Sequence, residues 1–350
     1  MAEPVRSFVY EALPMRVVFG RGRLAAVADE VARLGLRRVL VLSTPGQRAL
    51  AEKVEELLGD TAVGIFDQAR MHVPVETVAG ALRVVAELEA DGCVSIGGGS
   101  TIGLGKALAL RRALPVVAVP TTYAGSEMTP IWGLTENSRK QTGRDPAVLP
   151  RTVVYDPDLT TSLPPAVSAT SGLNAMAHAM EALYAPDGSP VVAAMAEQGV
   201  RALALALPVL VKDPADASAR ANALEGAWLC GACLGATTMG LHHKLCHVLG
   251  GMLDLPHADT HSVVLPHVAA FNLAQAPGAR SALARALGDE DPAGAIGSLA
   301  DQVGAPRRLS DLGVRESDLA AVVDEVLANP YANPRPVDRP ALVRLLEGAM

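Results

Sequence analysis

In the first half of the chain, short β-branched and aliphatic runs alternate with longer stretches whose apolar residues recur every three or four positions. "RVVFG" (16–20), "RVLVLST" (38–44), "AVGIFD" (62–67), "CVSIGGGS" (93–100) and "PVVAVPTT" (115–122) predict five strands. Between them, 23–35, a stretch ending near Leu58, 74–92 and 101–112 carry helical periodicity, and several of these stretches end at glycine. Strands that are apolar throughout, separated by amphipathic helices, predict a parallel sheet covered on both faces. From 131 to 157 the pattern changes to two strands around a polar loop, expected as a hairpin on the edge of that sheet. Beyond Leu159 the strand signal fades, and alanine- and leucine-rich stretches at 190–211, 216–238, 281–287, 293–303, 316–328 and 339–349 predict helices. The pattern therefore predicts an α/β domain with a parallel, nucleotide-binding sheet over 1–157 and an all-α domain over 158–350, divided near 157–160.

Composition narrows what such a chain can do. Half of its 350 residues are hydrophobic but only 3% are aromatic, so the core must be built from Ala, Val, Leu and Ile. The formal charge is −7, with 30 basic against 37 acidic residues and no basic run, which argues against a nucleic-acid surface. An acidic substrate would need a local positive pocket. Four cysteines (Cys93, Cys230, Cys233, Cys246) are too few for a disulfide framework, and the Cys230–Cys233 pair sits in a helical pattern that predicts buried packing. The N-terminus shows no signal-peptide pattern and no apolar run is read as spanning a membrane, so the expectation is a soluble, cytoplasmic protein without a membrane partner.

Candidate chemistry lies at the ends of the predicted strands. "GGGS" (Gly97, Gly98, Gly99, Ser100) joins an apolar strand to a helix, where backbone without Cβ atoms and a helix N-terminus suit a phosphate; the plain alternative is a tight turn. "PTTYAGSEMT" supplies Thr121, Thr122, Tyr123 and Ser126 after the fifth strand, and "LSTPGQ" supplies Ser43 and Thr44 after the second. Several such loops at strand carboxyl ends predict a nucleotide site, and Leu159 completes the set of candidates. The motif is not GxGxxG and shows no ribose-reading acid, so the choice between NADH and NADPH stays open.

The helical half carries a second concentration. "GLHHKLCHVLGGMLDLPHADTH" (240–261) holds five of the eight histidines. His243 and His247 lie four apart, as do Asn174 and His178 in "SGLNAMAHAMEALYA", so each pair shares a helical face. An isolated helical histidine is usually a surface or core group, but two such pairs predict a shared polar pocket. Three neutral imidazoles suit zinc or iron, yet a divalent ion in such a pocket ordinarily has an anionic ligand, and the remaining position is the neutral amide of Asn174. That favours hydrogen-bond donors and a proton source over a metal site.

These stretches resemble the iron-containing alcohol dehydrogenase superfamily over essentially the whole chain. Within it, "TYAGSEMTPIWGLTE", "SGLNAMAHA" and "HHKLCH" are similar to the maleylacetate reductase branch. The resemblance implies a dehydroquinate synthase-like fold, a site in the cleft between two domains, homodimers, and reduction of a carbon–carbon double bond by NADH or NADPH. The family's metal ligands, an Asp and three His, fall on Asn174, His178, His243 and His257. The one anionic ligand is thus missing, Gly103 replaces a further Asp, and no metal is expected. The resemblance implies that hydride reaches the alkene carbon β to the ketone of 4-oxohex-2-enedioate. His243, with His178 or His257, would then face the developing oxyanion, His243 or Tyr331 would donate the proton, and His247 would lie near the nicotinamide. For the dicarboxylate ends, the candidates are Lys140, Arg144, Lys244 and Arg335, with Asn174 also facing substrate. Ala332 stands where related reductases commonly carry tryptophan, which implies a roomier pocket. The alternatives are a metal-dependent alcohol dehydrogenase of the same superfamily and a non-redox lyase, cyclase or dehydratase on this scaffold.

Overall fold

Apolar strands set the architecture of the first half. In the computed structural model, which describes residues 8–13, 15–136, 139–329 and 331–350, the predicted runs become β1 (Arg16–Phe19), β2 (Val39–Leu42), β3 (Ala62–Phe66), β4 (Gly92–Gly97) and β5 (Val116–Pro120). β2, β4 and β5 are buried at every position, as expected of strands covered on both faces. The covering helices are α1 (Val27–Arg33), α2 (Arg48–Leu58), α3 (Val75–Glu87) and α4 (Gly99–Arg112). In α2, Ala51, Val54 and Leu58 share the buried face, while Arg48 and Glu52 pair on the outer one.

The 131–157 segment departs from its prediction. β6 (Ile131–Glu136) and β7 (Arg139–Arg144) form a hairpin that is a separate two-stranded sheet, not the edge of the main one. "TVVY" is β8 (Thr152–Tyr155), a fully buried strand inserted between β1 and β5. The sheet is parallel in the order β1-β8-β5-β4-β2-β3. A polar hairpin beside an apolar run of only four residues hides this third strand from a pattern reading.

The chain divides into two compact units, one of 15–164 with Asp213–Leu224 and one of 8–13, Pro165–Lys212 and Glu225–Met350. The first contains the sheet. The second is helical: α5 (Pro165–Leu183), α6 (Pro190–Lys212), most of α7 (Ala217–Ala236), α8 (Leu241–Leu253), α9 (His257–Leu273), α10 (Pro277–Leu287), α11 (Pro292–Gln302), α12 (Glu316–Ala328) and α13 (Arg339–Gly348). α5 is buried on all sides from Ser168 to Ala182, so its polar residues are core residues. Contrary to expectation, α6 is long and apolar enough by length and composition to cross a membrane, with 23 residues and mean hydropathy 1.4. Here it turns Val192, Ala196, Val200, Leu203 and Leu207 inward. Cys230 and Cys233 are buried and unpaired on α7, which fits helix packing.

Candidate functional site

In the sheet unit, the predicted nucleotide loops converge on the carboxyl ends of adjacent strands. Ser43 and Thr44 follow β2, Gly97 closes β4 and Gly98–Ser100 lead into α4, Thr121–Ser126 follow β5, and Leu159 lies in a short helix after β8. Gly97 has φ +149°, and a Cβ there would stand 2.6 Å from both Gln47 Oε1 and Thr101 Oγ1. The glycine is therefore required by conformation and by close approach. Gln47 Nε2 donates to Thr121 Oγ1 (2.8 Å), and the Thr121 N–H donates to the Gly97 carbonyl (3.1 Å), so the three loops hold one another. Ser43 Oγ is buried without a hydrogen-bond partner. Tyr123 is fully buried, and its hydroxyl accepts from Arg220 Nη1 (3.2 Å), a position suited to shaping the loop.

Lys106, two turns into α4, carries no mark in the sequence pattern. Its ammonium is buried and donates to the Ser126 carbonyl, Thr129 Oγ1 (2.9 Å) and the Ile131 carbonyl (2.8 Å), fastening the loop after β5. Burial lowers its pKa to about 7, against the pull of Glu127. Nearby, burial raises Glu127, whose Oε1 accepts from Tyr155 OH (2.7 Å).

In the helical unit the two i,i+4 pairs do meet. His178 Nδ1 on α5 and His243 Nε2 on α8 lie 2.8 Å apart and both rings are nearly buried. Asn174 lies one turn before His178, and its Oδ1 is buried without a hydrogen-bond partner. His247 and His257 are exposed and stack on each other with centroids 6.2 Å apart; His247 is 6.1 Å from His243. His261 underlies this group, 4.3 Å from His257 and 5.1 Å from His243. Its Nδ1 is 2.9 Å from His242 Nε2. Burial, reinforced by neighbouring imidazoles, lowers His242 to about 3 and pushes His261 down as well, so both are neutral. Among the described residues, His242, Cys246 and His261 are the His, Cys, Asp or Glu set whose metal-ligating atoms converge, within 4.8 Å, and His178, His243 and His257 are not such a set.

The pocket also holds a carboxylate that the sequence pattern does not single out, Glu181, which leaves the ligand position at Asn174 neutral. It is fully buried on α5, and His243 Nδ1 lies 2.7 Å from its Oε2. The same carboxylate accepts from the backbone N–H groups of Gly240 (2.9 Å), His242 (2.8 Å) and His243 (3.3 Å), which caps α8. A Cβ at Gly240 would stand 2.8 Å from the Ala332 carbonyl and 3.1 Å from Glu181 Oε1, so only glycine lets the helix start there. Burial by itself would raise Glu181. The His243 hydrogen bond, the charges that His243 and His242 carry when protonated, and the His242 N–H override it and bring the pKa to about 2. The spacing Asn174, His178, Glu181 (i, i+4, i+7) was the available signal.

The remaining predicted residues are spread out. Tyr331 OH is buried without a hydrogen-bond partner, its pKa pushed to about 12 by burial and then by Glu181. Tyr331 shares a pocket of about 220 Å³ with Asn333 and Arg335. Arg335 lies 4.1 Å over the Phe271 ring and donates to the Phe271 carbonyl. Lys244 is half-buried on α8, Arg144 is exposed on β7, and the side chain of Lys140 lies outside the described residues.

Residues 14–157 match the model of the iron-containing alcohol dehydrogenase family and residues 168–350 that of its C-terminal domain. The chain is 55% identical to a maleylacetate reductase of Sphingobium indicum, covering 98% of this chain and 97% of that protein. It is 53% identical to a maleylacetate reductase of Burkholderia cepacia, covering 99% and 98%. The crystal structure of a maleylacetate reductase from Agrobacterium tumefaciens superposes with a TM-score of 0.96 at 51% identity, covering 99% of this chain and 98% of that one.

Proposed function

Since the chain belongs to the iron-containing alcohol dehydrogenase family, we propose that it is the reductase that converts maleylacetate to 3-oxoadipate with NADH or NADPH, without a metal. The sheet unit binds the dinucleotide and the helical unit binds and protonates the substrate. When bound, the reduced nicotinamide supplies a hydride, which adds to the alkene carbon β to the ketone. The electron pair of the double bond moves toward the ketone oxygen as an enolate, and the neighbouring carbon then takes a proton.

The His178–His243 pair carries this reading. Two nitrogens on one tetrahedral ion with bonds of 2.0–2.1 Å would stand roughly 3.3 Å apart. At 2.8 Å a proton lies between the rings instead. Asn174 offers a neutral amide oxygen, and Glu181 is turned to His243 Nδ1 and three backbone N–H groups, so the donor set does not suit iron. A protonated imidazole pair beside a carboxylate can stabilise an enolate, an interaction worth roughly 3–4 kcal/mol for a well-aimed donor. Tyr331 holds its proton too tightly to be the main acid, which leaves the histidine pair. Ser43, Thr44, Gly97–Ser100, Thr121, Thr122, Ser126 and Leu159 are assigned to the nucleotide with Tyr123 shaping their loop, and Arg335, which lines the same pocket as Tyr331, is assigned to a carboxylate end. The reading also places the enzyme in the cytoplasm as a homodimer. The free, buried cysteines and exposed Phe8, Val9 and Tyr10 support this.

An absorbance assay with maleylacetate and each nicotinamide cofactor, with and without EDTA, tests the proposal. The expected outcome is oxidation of the cofactor that EDTA leaves unchanged. Activity abolished by EDTA and restored by iron would identify the metal-dependent alternative, and no cofactor oxidation would reject the redox reading.

A further inference from the structure

We propose that Glu181 is a positioning residue that fixes the tautomer of His243 and thereby sets the direction of the proton shared by His243 and His178. The proposal rests on the histidine pair having the role given above.

The argument begins with donors. Glu181 Oε1 accepts from the His242 N–H (2.8 Å) and from Tyr184 OH (3.3 Å). Its Oε2 accepts from the Gly240 N–H (2.9 Å) and the His243 N–H (3.3 Å). Three backbone N–H groups that can only donate hold the buried carboxyl in its ionised form, which accepts and has no proton to give. The fifth partner, His243 Nδ1 at 2.7 Å from Oε2, must therefore carry one. With the proton on Nδ1, neutral His243 has its lone pair on Nε2, and His178 Nδ1 at 2.8 Å is the donor into it.

Both nitrogens of His243 are thus engaged, and its ring cannot flip without placing a C–H against the carboxylate. Only the proton between the two histidines can change sides. An additional proton makes His243 an imidazolium held by Glu181, and its loss returns the pair to the same neutral tautomers. The carboxylate touches neither substrate nor cofactor in this scheme and acts through His243.

The carboxylate is also joined to the segment that carries Tyr331. Tyr184 OH, which donates to Glu181, accepts from Asn272 Nδ2 (3.2 Å). Asn272 and Asn333 exchange two hydrogen bonds (2.9 and 2.8 Å), and Asn333 Nδ2 also donates to the Arg335 carbonyl (2.7 Å). One network therefore fixes the histidine pair and the 331–335 segment together.

Nitrogen-15 labelling of the histidines in the intact protein reads the tautomer without any substrate. The expected result is a protonated Nδ1 on His243, and an unprotonated Nδ1 overturns the proposal whatever a variant does. Because this measurement needs no turnover, it stands apart from the maleylacetate assay. In Glu181→Gln, either amide orientation sets an NH2 group against a fixed N–H donor, and one of them turns that group to His243 Nδ1, so the tautomer is no longer held by an ionised carboxylate. The expected effect is a fall in kcat of roughly 100-fold or more. The dissociation constant for NADH should change by less than about threefold. A kcat within about threefold of the parent value overturns the proposal. So does a loss confined to NADH binding.

Discussion

At the residue scale the site depends on charges whose burial is matched by fixed partners, and this makes stability depend on pH. Burial, helped by the neighbouring His243, lowers His242 to about 3 from its ordinary 6.5. Between these values the unfolded chain binds a proton that the folded one refuses, so stability is intact above about pH 6.5 and is lost as pH falls toward 3. Glu181, at about 2 against an ordinary 4.5, adds a loss in the same direction between pH 4.5 and 2. Urea unfolding should thus show a lower midpoint at about pH 4.5 than at neutrality, and His242→Asn should flatten that difference. Gly97→Ala would force a Cβ into Gln47 and Thr101 at a positive φ. It should cost about 1 kcal/mol or more of stability. The Kd for NADH, followed by fluorescence titration, should rise.

At the element scale, α4 does more than cover the sheet. Its N-terminus is the phosphate candidate, and two turns later Lys106 fastens the loop that follows β5. Lys106→Met removes those hydrogen bonds and leaves the Ser126 and Ile131 carbonyls without this buried donor. The expected outcome is a KM for the nicotinamide cofactor raised by roughly tenfold with a smaller change in kcat. An equal fall in kcat with KM unchanged would contradict this role. The sequence pattern does not mark Lys106, because a lysine in an amphipathic pattern reads as a solvated face, and only the loop folding back over α4 buries it.

At the scale of the whole molecule, residues far apart in sequence build each unit. Arg220, in the Asp213–Leu224 segment of the sheet unit, is fully buried and donates to Tyr123 OH, the Pro214 carbonyl (2.9 Å) and the Leu163 carbonyl (3.1 Å). Arg220→Ala should destabilise this unit by about 3 kcal/mol or more, seen as an earlier unfolding midpoint, with a weaker nucleotide site because Tyr123 loses its support. Helical periodicity places Arg220 on α7 but cannot say which unit holds it.

The sequence by itself determined the alternation of apolar strands and helices, the glycine and hydroxyl loops at strand ends, and the two i,i+4 pairs on α5 and α8. Each of these is a local property, written in short continuous apolar runs, in the 3.6-residue periodicity of helices and in the backbone freedom of glycine. Tertiary structure alone decided that "TVVY" lies inside the sheet, that Lys106 is buried, and that Glu181 turns its carboxylate to His243. Those outcomes depend on pairings between segments remote in the chain, where packing and the need to satisfy every buried polar group choose among partners that local pattern leaves equivalent.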